Sequence, residues 1–269
     1  MEGPRVVIWI FTSLCNLNCP HCYAYRFRGV NELTLKEKLR LVKEMGELGV
    51  EHVGISGGEP LIHKDIIPII KTLTDHDISI SIVTNAQHVR EDVVRTLSEC
   101  NVHLYVSLDG PKEVHDKIRG AGSYDRIMKS IEKFREHGVD YSMVMAINKL
   151  NYRYVKDFIF ESIRLNSNFA SFIPTMKSGK AILTGVRIDF KNFMWAIRVI
   201  DDTSRELSYP ISLWCTPFAS IIVKSKYIRS SYCRTQDIVD VDPAAVSYTH
   251  LRAHETSLHL VCRLLLAKK

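Results

Sequence analysis

Residues 6–25 read VVIWIFTSLCNLNCPHCYAY, and most of the fold follows from how this stretch is divided. Its first part, VVIWIF at 6–11, is rich in β-branched and aromatic residues, as a buried strand is. Its second part turns polar, with Asn16, Asn18, Pro20 and His21 set among Cys15, Cys19 and Cys22. A buried strand that runs straight into a cysteine loop predicts a ligand site at the strand's carboxyl end.

The same alternation continues outward. The runs VGIS (53–56), ISISIVT (78–84), VHLYVSL (102–108), YSMVMAI (141–147) and FASFIP (169–174) predict five more strands. Between them lie helical patterns: 35–48, then 65–75, 90–99, 124–136 and 152–164, with one more at 189–207. In the first, Leu35, Leu39, Val42 and Met45 share a face, and Thr34 and Glu37 are spaced for a reciprocal capping box. Strand–helix alternation at these intervals predicts repeated βαβ units and a parallel sheet. Six units are too few for a closed eight-unit barrel. An open doubly wound sheet and a partial barrel both remain, and both put ligands at the carboxyl ends of the strands.

The loop carries Cys-x3-Cys-x2-Cys. Thiolates hold 4Fe–4S clusters, and three in one loop leave one iron without a protein ligand. Catalytic metal centres keep such an open position. Zinc is the alternative, with His21 or a distant cysteine as fourth ligand, but no clean second pair of ligands follows. The seven cysteines stand at 15, 19, 22, 100, 215, 233 and 262, too unevenly for a disulfide framework.

Cys-x3-Cys-x-aromatic-Cys after a first strand resembles the signature of the radical S-adenosylmethionine (SAM) superfamily, with His21 in the aromatic position. The resemblance covers about residues 6–179, where that family forms an α/β partial (β/α)6 TIM-type barrel. It implies Cys15, Cys19 and Cys22 as ligands of a 4Fe–4S cluster and S-adenosyl-L-methionine as cofactor. Gly57-Gly58-Glu59-Pro60 resembles the family's GGEP, which contacts the methionyl amino group. Thr84-Asn85-Ala86 resembles its Thr-Asn-Gly, with Ala86 as a departure. Ser107-Leu108-Asp109-Gly110, followed by His115-Asp116-x-x-Arg119-Gly120, resembles members that act on peptides or build cofactors. There Ser107 is expected to donate to a ribose or carboxylate oxygen and Arg119 to clamp the methionyl carboxylate. Asp116 reads as a helix cap. Asn148 and Ile147 are expected near the adenosine. With His21, the expected cofactor-binding set is Gly57, Gly58, Glu59, Pro60, Asn85, Ser107, Arg119 and Asn148. Trp9, Trp195 and Cys100 read as core residues.

Residues 205–244 depart from the barrel pattern. Cys215 and Cys233 lie in loop-like surroundings, and Ile238–Pro243 resembles the β-hairpin that opens the auxiliary-cluster domain of the SPASM and twitch subgroups. The resemblance implies a barrel domain over 1–187 and an incomplete auxiliary region over 188–244, with Cys215 and Cys233 as ligands of an auxiliary iron–sulfur cluster. From residue 245, AVSYTHLRAHET and the later LVCRLLL resemble the translation of a sequencing-library adaptor, so 245–269 are expected to lie outside the functional protein. Those residues carry a net charge of +3, half of the chain's +6.

The remaining charge is too small, and too free of basic blocks with interleaved aromatics, to argue for nucleic acid. No apolar run approaches the ~20 residues of a membrane span, and the first residues lack a signal-peptide pattern, so a cytoplasmic protein is expected. The resemblance further implies a low-potential ferredoxin or flavodoxin as electron donor and a peptide or small-molecule substrate. The rival readings are a molybdenum-cofactor-type cyclase acting on a nucleotide and a zinc-stabilised binding module without catalysis.

Overall fold

All six apolar runs form strands: β1 Val6–Thr12, β2 His52–Gly57, β3 Ser79–Thr84, β4 His103–Ser107, β5 Tyr141–Ile147 and β6 Ala170–Pro174. This computed structural model describes residues 3–231 and 237–248. The helices between the strands are α1 Leu35–Glu47, α2 Ile66–Asp75, α3 Glu91–Glu99, α4 Lys112–Arg119, α5 Ser123–Glu136 and α6 Val155–Arg164. After β6 come α7 Ala181–Thr184, α8 Phe190–Leu207, β7 Ile211–Leu213, α9 Ala219–Ile222, β8 Ile228–Ser230, β9 Ile238–Val241 and β10 Ser247–Tyr248.

The ten strands form one sheet in the order β10-β9-β1-β2-β3-β4-β5-β6-β7-β8. Nine are parallel, and β10 alone runs antiparallel, against β9. The architecture is a curled half-barrel of the partial TIM type, with helices packed outside. Residues 188–244 do not form a separate layer. They add β7 and β8 to one edge and β9 to the other, so the expected boundary at 187/188 has no counterpart in the sheet. The hairpin expected at 238–243 is present as β9–β10, turning at Asp242–Ala245, but β9 also pairs in parallel with β1. Ala245 is buried there, so the first residues of the adaptor-like stretch pack against the sheet; 249–269 and Cys233 lie outside the described residues.

The capping box at Thr34 and Glu37 forms as its spacing predicts. The buried face of α1 is rotated from the expected one: Lys38, Leu41, Val42 and Met45 point inward and Leu35 is exposed. Lys38 is tolerated there because its ammonium sits 3.1 Å from Asp65 and 4.3 Å from the centre of the Phe11 ring. α4 was hidden in the sequence because KEVHDKIR offers only His115 and Ile118 to the interior. Trp9 is fully buried, whereas Trp195 lies 43% exposed with its ring edge against Tyr152, contrary to expectation.

Alternation along β1 divides its side chains between two layers. Val7, Trp9 and Phe11 join the main core with the helices, while Ile10 packs with Ala24 and Phe27 beneath the cysteine loop. Among the described residues no helix is long and apolar enough to cross a membrane.

Candidate active site at the carboxyl ends of the strands

Register brings the motifs level. Parallel pairing of β1 with β2 sets Thr12 beside Gly57, so the cysteine loop and Gly57-Gly58-Glu59 leave the sheet together. Two backbone bonds then hold them, Gly58 N to Thr12 O at 2.7 Å and Glu59 N to Leu14 O at 2.7 Å. Gly58 is needed for this approach, since a Cβ there would lie 2.1 Å from the Leu14 carbonyl oxygen. In the structure the cysteine loop itself occupies that close approach. Gly58→Ala is therefore expected to displace the loop and lower iron loading after reconstitution several-fold, read as iron per chain.

A second anchor holds the loop from the other side. Glu32 accepts hydrogen bonds from Thr12 Oγ1, Ser13 Oγ and Ser13 N, at 2.7 to 3.0 Å. Burial works against this carboxylate, yet those donors hold its pKa below the usual range. A third contact comes from the chain after β6. Gly179 has a φ of +53° and lies against Cys22 and Tyr23, where a Cβ would be 2.4 Å from the Cys22 oxygen. Next to it Lys180 N donates to that same oxygen at 2.9 Å.

Within this frame the three cysteines lie on one loop and sense one another. Burial pushes the Cys15 thiol up and the Cys19 thiol up to about 11, and each is raised further by its neighbouring sulfurs. Arg119 opposes both shifts. Thiols so shifted carry their protons at neutral pH and release them on binding metal. Cys15 Sγ accepts from Leu17 N at 3.4 Å and from Asn85 Nδ2 at 3.8 Å. Among the described residues no three His, Cys, Asp or Glu side chains close about a point tightly enough for a single ion. A cubane binds each thiolate through a different iron, and three thiolates with backbone and amide donors suit it. Cys215 lies on the loop after β7 in a left-handed conformation, φ +52°, and Cys100 packs against the core.

Asn85 faces this loop. Its amide donates to Asn16 Oδ1 at 2.8 Å, and its backbone N to Glu59 Oε2 at 2.6 Å. Glu59 is 1% exposed and also accepts from Thr84 Oγ1 and Leu61 N, tying the ends of β2 and β3 together. Ala86, the departure from the family pattern, takes the left-handed φ of +50° that glycine would adopt more easily. Pro60 is buried at the start of a short 3-10 turn.

Asp109 is the residue the sequence reading passed over. It is fully buried, and Arg119 Nε donates to its Oδ2 at 2.6 Å. His21 Nε2 lies 3.7 Å from the same oxygen, and Ala146 N donates to the other at 3.1 Å. Burial would raise this carboxyl, but Arg119, His21 and His115 together hold its pKa down. Asp109 was missed because Asp-Gly-Pro reads as a turn; its position directly after a buried strand was the available signal. Arg119 is thus half of a buried ion pair, with its Nη groups bonded to no described residue. His21 Nδ1 is buried without a partner among the described residues. Ser107, at the end of β4, is 7% exposed and its hydroxyl bonds to no described residue. Asn148 differs: it is wholly buried and its amide closes a turn with Ala146 O and Leu150 N. Ile147 lies in the core. Asp116 caps α5, accepting from Gly122 N, Ser123 Oγ and Tyr124 N.

His115 gives this region a pH dependence. It is fully buried, takes a bond from Asp109 N at 3.0 Å, and burial lowers its pKa to about 4. Because the folded value lies below the unfolded one of ~6.5, the unfolded chain binds the proton first as pH falls. Stability is therefore expected to decline from pH 6.5 to 4, by on the order of 3 kcal/mol from this group. Urea unfolding across that range checks it, and His115→Gln should flatten the slope.

A family model described as the Radical SAM superfamily matches residues 9–161. Fe-coproporphyrin III synthase of Methanosarcina barkeri is 32% identical over 152 residues, which are 55% of this chain and 38% of that protein. Mycofactocin maturase MftC of Mycobacterium ulcerans is 29% identical over 163 residues, 59% of this chain and 44% of that one. The chain thus spans less than half the length of either. Among solved structures, Streptococcus suis SuiB bound to precursor peptide SuiA superposes with a TM-score of 0.78 at 17% identity, over 100% of this chain and 62% of that chain. SuiB bound to S-adenosylmethionine gives 0.77 at 18% identity, over 95% and 63%.

Proposed function

The chain belongs to the radical SAM superfamily, and from that premise we propose that it is a peptide-modifying or cofactor-maturing enzyme of the cytoplasm. The 4Fe–4S cluster, when bound, supplies an electron that cleaves S-adenosylmethionine to methionine and a 5′-deoxyadenosyl radical, which takes hydrogen from the substrate. Cys15, Cys19 and Cys22 hold that cluster. Arg119, oriented by Asp109, offers its Nη donors to the methionyl carboxylate, and carbonyls of Gly57-Gly58 accept from the ammonium group. Ser107 donates to an oxygen of the cofactor, and His21 packs beside it with its uncommitted Nδ1. Asn85 acts through the cysteine loop as much as on the cofactor. Asn148 shapes the adenosine side through its turn. The single observation that supports this reading most is that three cysteines on the loop after β1 lie within electrostatic reach of one another and of the buried Arg119.

The substrate is a peptide or a cofactor precursor. The named relatives favour both classes, since one is a mycofactocin maturase and another an Fe-coproporphyrin III synthase. A low-potential ferredoxin or flavodoxin supplies the electron. Residues 188–244, with Cys215 and Cys233, belong to a SPASM/twitch-like auxiliary region, and 245–269 contribute nothing to activity. Anaerobic reconstitution with iron and sulfide, then dithionite and S-adenosylmethionine, tests the central claim. 5′-Deoxyadenosine and methionine are expected in equal amounts; a zinc-only protein with no charge-transfer absorbance would end it.

A further inference from the structure

A cavity of about 440 Å³ lies between the loop after β3, residues 87–90, and one flank of α5. It shares no wall residue with the cysteine loop, Arg119 or Asp109. Arg126, Lys129 and Lys133 stand three and four residues apart on α5, so they project from one face and line the cavity together. His88 and Arg90 close it from the loop, and no Asp or Glu belongs to its wall. The acids next to these positions in sequence do not neutralise the three cations on α5. Asp92 pairs with Arg90 at 3.0 Å, Glu91 with His137 at 2.8 Å and Asp125 with Lys112, while Glu132 forms no ion pair with a described residue. Arg126 and Lys133 are half-buried, yet their bonds go to neutral oxygens. Arg126 donates from Nε to Gln87 Oε1 at 2.6 Å and from Nη2 to Ala121 O at 3.3 Å, and Lys133 donates to Val89 O at 3.4 Å. Lys38 and Arg119, which are also drawn inward, each meet a carboxylate. Arg126 Nη1 and the Lys129 ammonium bond to no described residue. Cations of one sign on a concave wall focus a positive potential into it.

We propose that this cavity binds a small organic anion carrying two or more phosphate or carboxylate groups. The number of groups follows from the spacing of the cations. Seven residues of helix separate Arg126 from Lys133, a rise of roughly 10 Å, so a pair of anionic groups matches the row better than one. The chemistry follows from the donors. A guanidinium presents paired N–H groups to a carboxylate or phosphate, and a lysine ammonium adds a mobile point charge. The size follows from the volume, which falls within the roughly 300–1,000 Å³ of small-molecule sites. Binding alone is proposed, with no bond made or broken. The site stands apart from the reaction proposed above and does not depend on it.

The test is calorimetric titration of the reconstituted full chain with fructose 1,6-bisphosphate and, in a second arm, with tricarballylate. Saturable binding at one site per chain is expected for at least one probe, and the tighter of the two tells phosphate from carboxylate. Lys129→Gln/Lys133→Gln should weaken that binding about tenfold at low salt, with the difference shrinking as salt rises. A charge-matched control on α1, Lys36→Gln/Lys43→Gln, should leave it unchanged. Equal weakening by both double variants would overturn the proposal, because the anion would then follow net charge and not the cavity. The absence of saturable binding by either probe at millimolar concentration would overturn it too. So would tighter binding of hexaglutamate than of both probes, since the wall would then be a docking face for an acidic chain. Should the Lys133 change lower the melting temperature, Lys129→Glu decides: that side chain is exposed and bonds to no described residue, and an unchanged affinity overturns the proposal. The heat of binding is read without S-adenosylmethionine cleavage, so a failure of the proposed reaction would leave this result standing.

Discussion

A Cys19→Ala chain is expected to assemble no stable cluster and to form no 5′-deoxyadenosine, while unfolding within about 1 kcal/mol of the parent. The asymmetry follows from what the thiol touches. Cys19 is only partly buried, and its side chain makes no hydrogen bond to a described residue. The loop around it is held by other groups: Glu32 at Ser13, the β2 end at Leu14, and Lys180 at Asn18 and Cys22. Two thiolates then remain where three are required, and a cubane with two open irons is not retained. Iron and sulfide per chain, with the charge-transfer band, read the loss directly. Cys100→Ala, distant in function and packed on the core, should load normally. Full S-adenosylmethionine cleavage by the Cys19 variant would remove the assignment altogether.

Asp109→Ala carries the second large effect, and here the damage is to the fold. The carboxylate is fully buried and neutralises Arg119, whose side chain is itself 9% exposed. Removing one partner of such a pair leaves the other charge uncompensated and costs about 3–5 kcal/mol. Asp109→Asn should lose less, because an amide oxygen can still accept from Ala146 N. The Asp109 pKa is held below its unfolded value, so its contribution is fully present above ~4 and lost as pH falls through the folded value. The stability gap between parent and Asp109→Asn should accordingly be constant near neutrality and close under acid conditions. Urea midpoints at several pH values measure it; a gap that widened on acidification would contradict the pairing.

What could be read from the residues beforehand was whatever local pattern determines. The six strands of the half-barrel were legible because each is an unbroken apolar run between turn residues. The Thr34–Glu37 capping box was legible because its partners are three residues apart. Cys-x3-Cys-x2-Cys was legible because all three cysteines share a loop. The buried Lys38 was not, since Asp65 and Phe11, which make it tolerable, come from a different helix and a strand. Neither was Asp109, whose importance depends on Arg119, His21 and Ala146 arriving from three elements. The packing of the cysteine loop against the glycine pair was not legible either, because sequence alone cannot say which loop will lie against it. β7 and β8 were missed for a related reason. They are three residues long and acquire strand geometry from the edge they join.

The pairing of β9 with β1 has a consequence for the order in which the molecule is made. β1 carries the cysteine loop, yet its second hydrogen-bonding partner pairs Val6 with Ile238 and Trp9 with Val241. On a ribosome, the strand that leads into the cysteine loop emerges long before β9 and must wait for it before its outer edge is covered. Closing so long a loop is slow, and an uncovered edge invites pairing with the wrong strand. A nascent chain halted before Ile238 would display its cysteines on a half-finished edge. Metal taken up at that stage would meet a loop whose floor, Ile10 with Ala24 and Phe27, had not yet been locked in place.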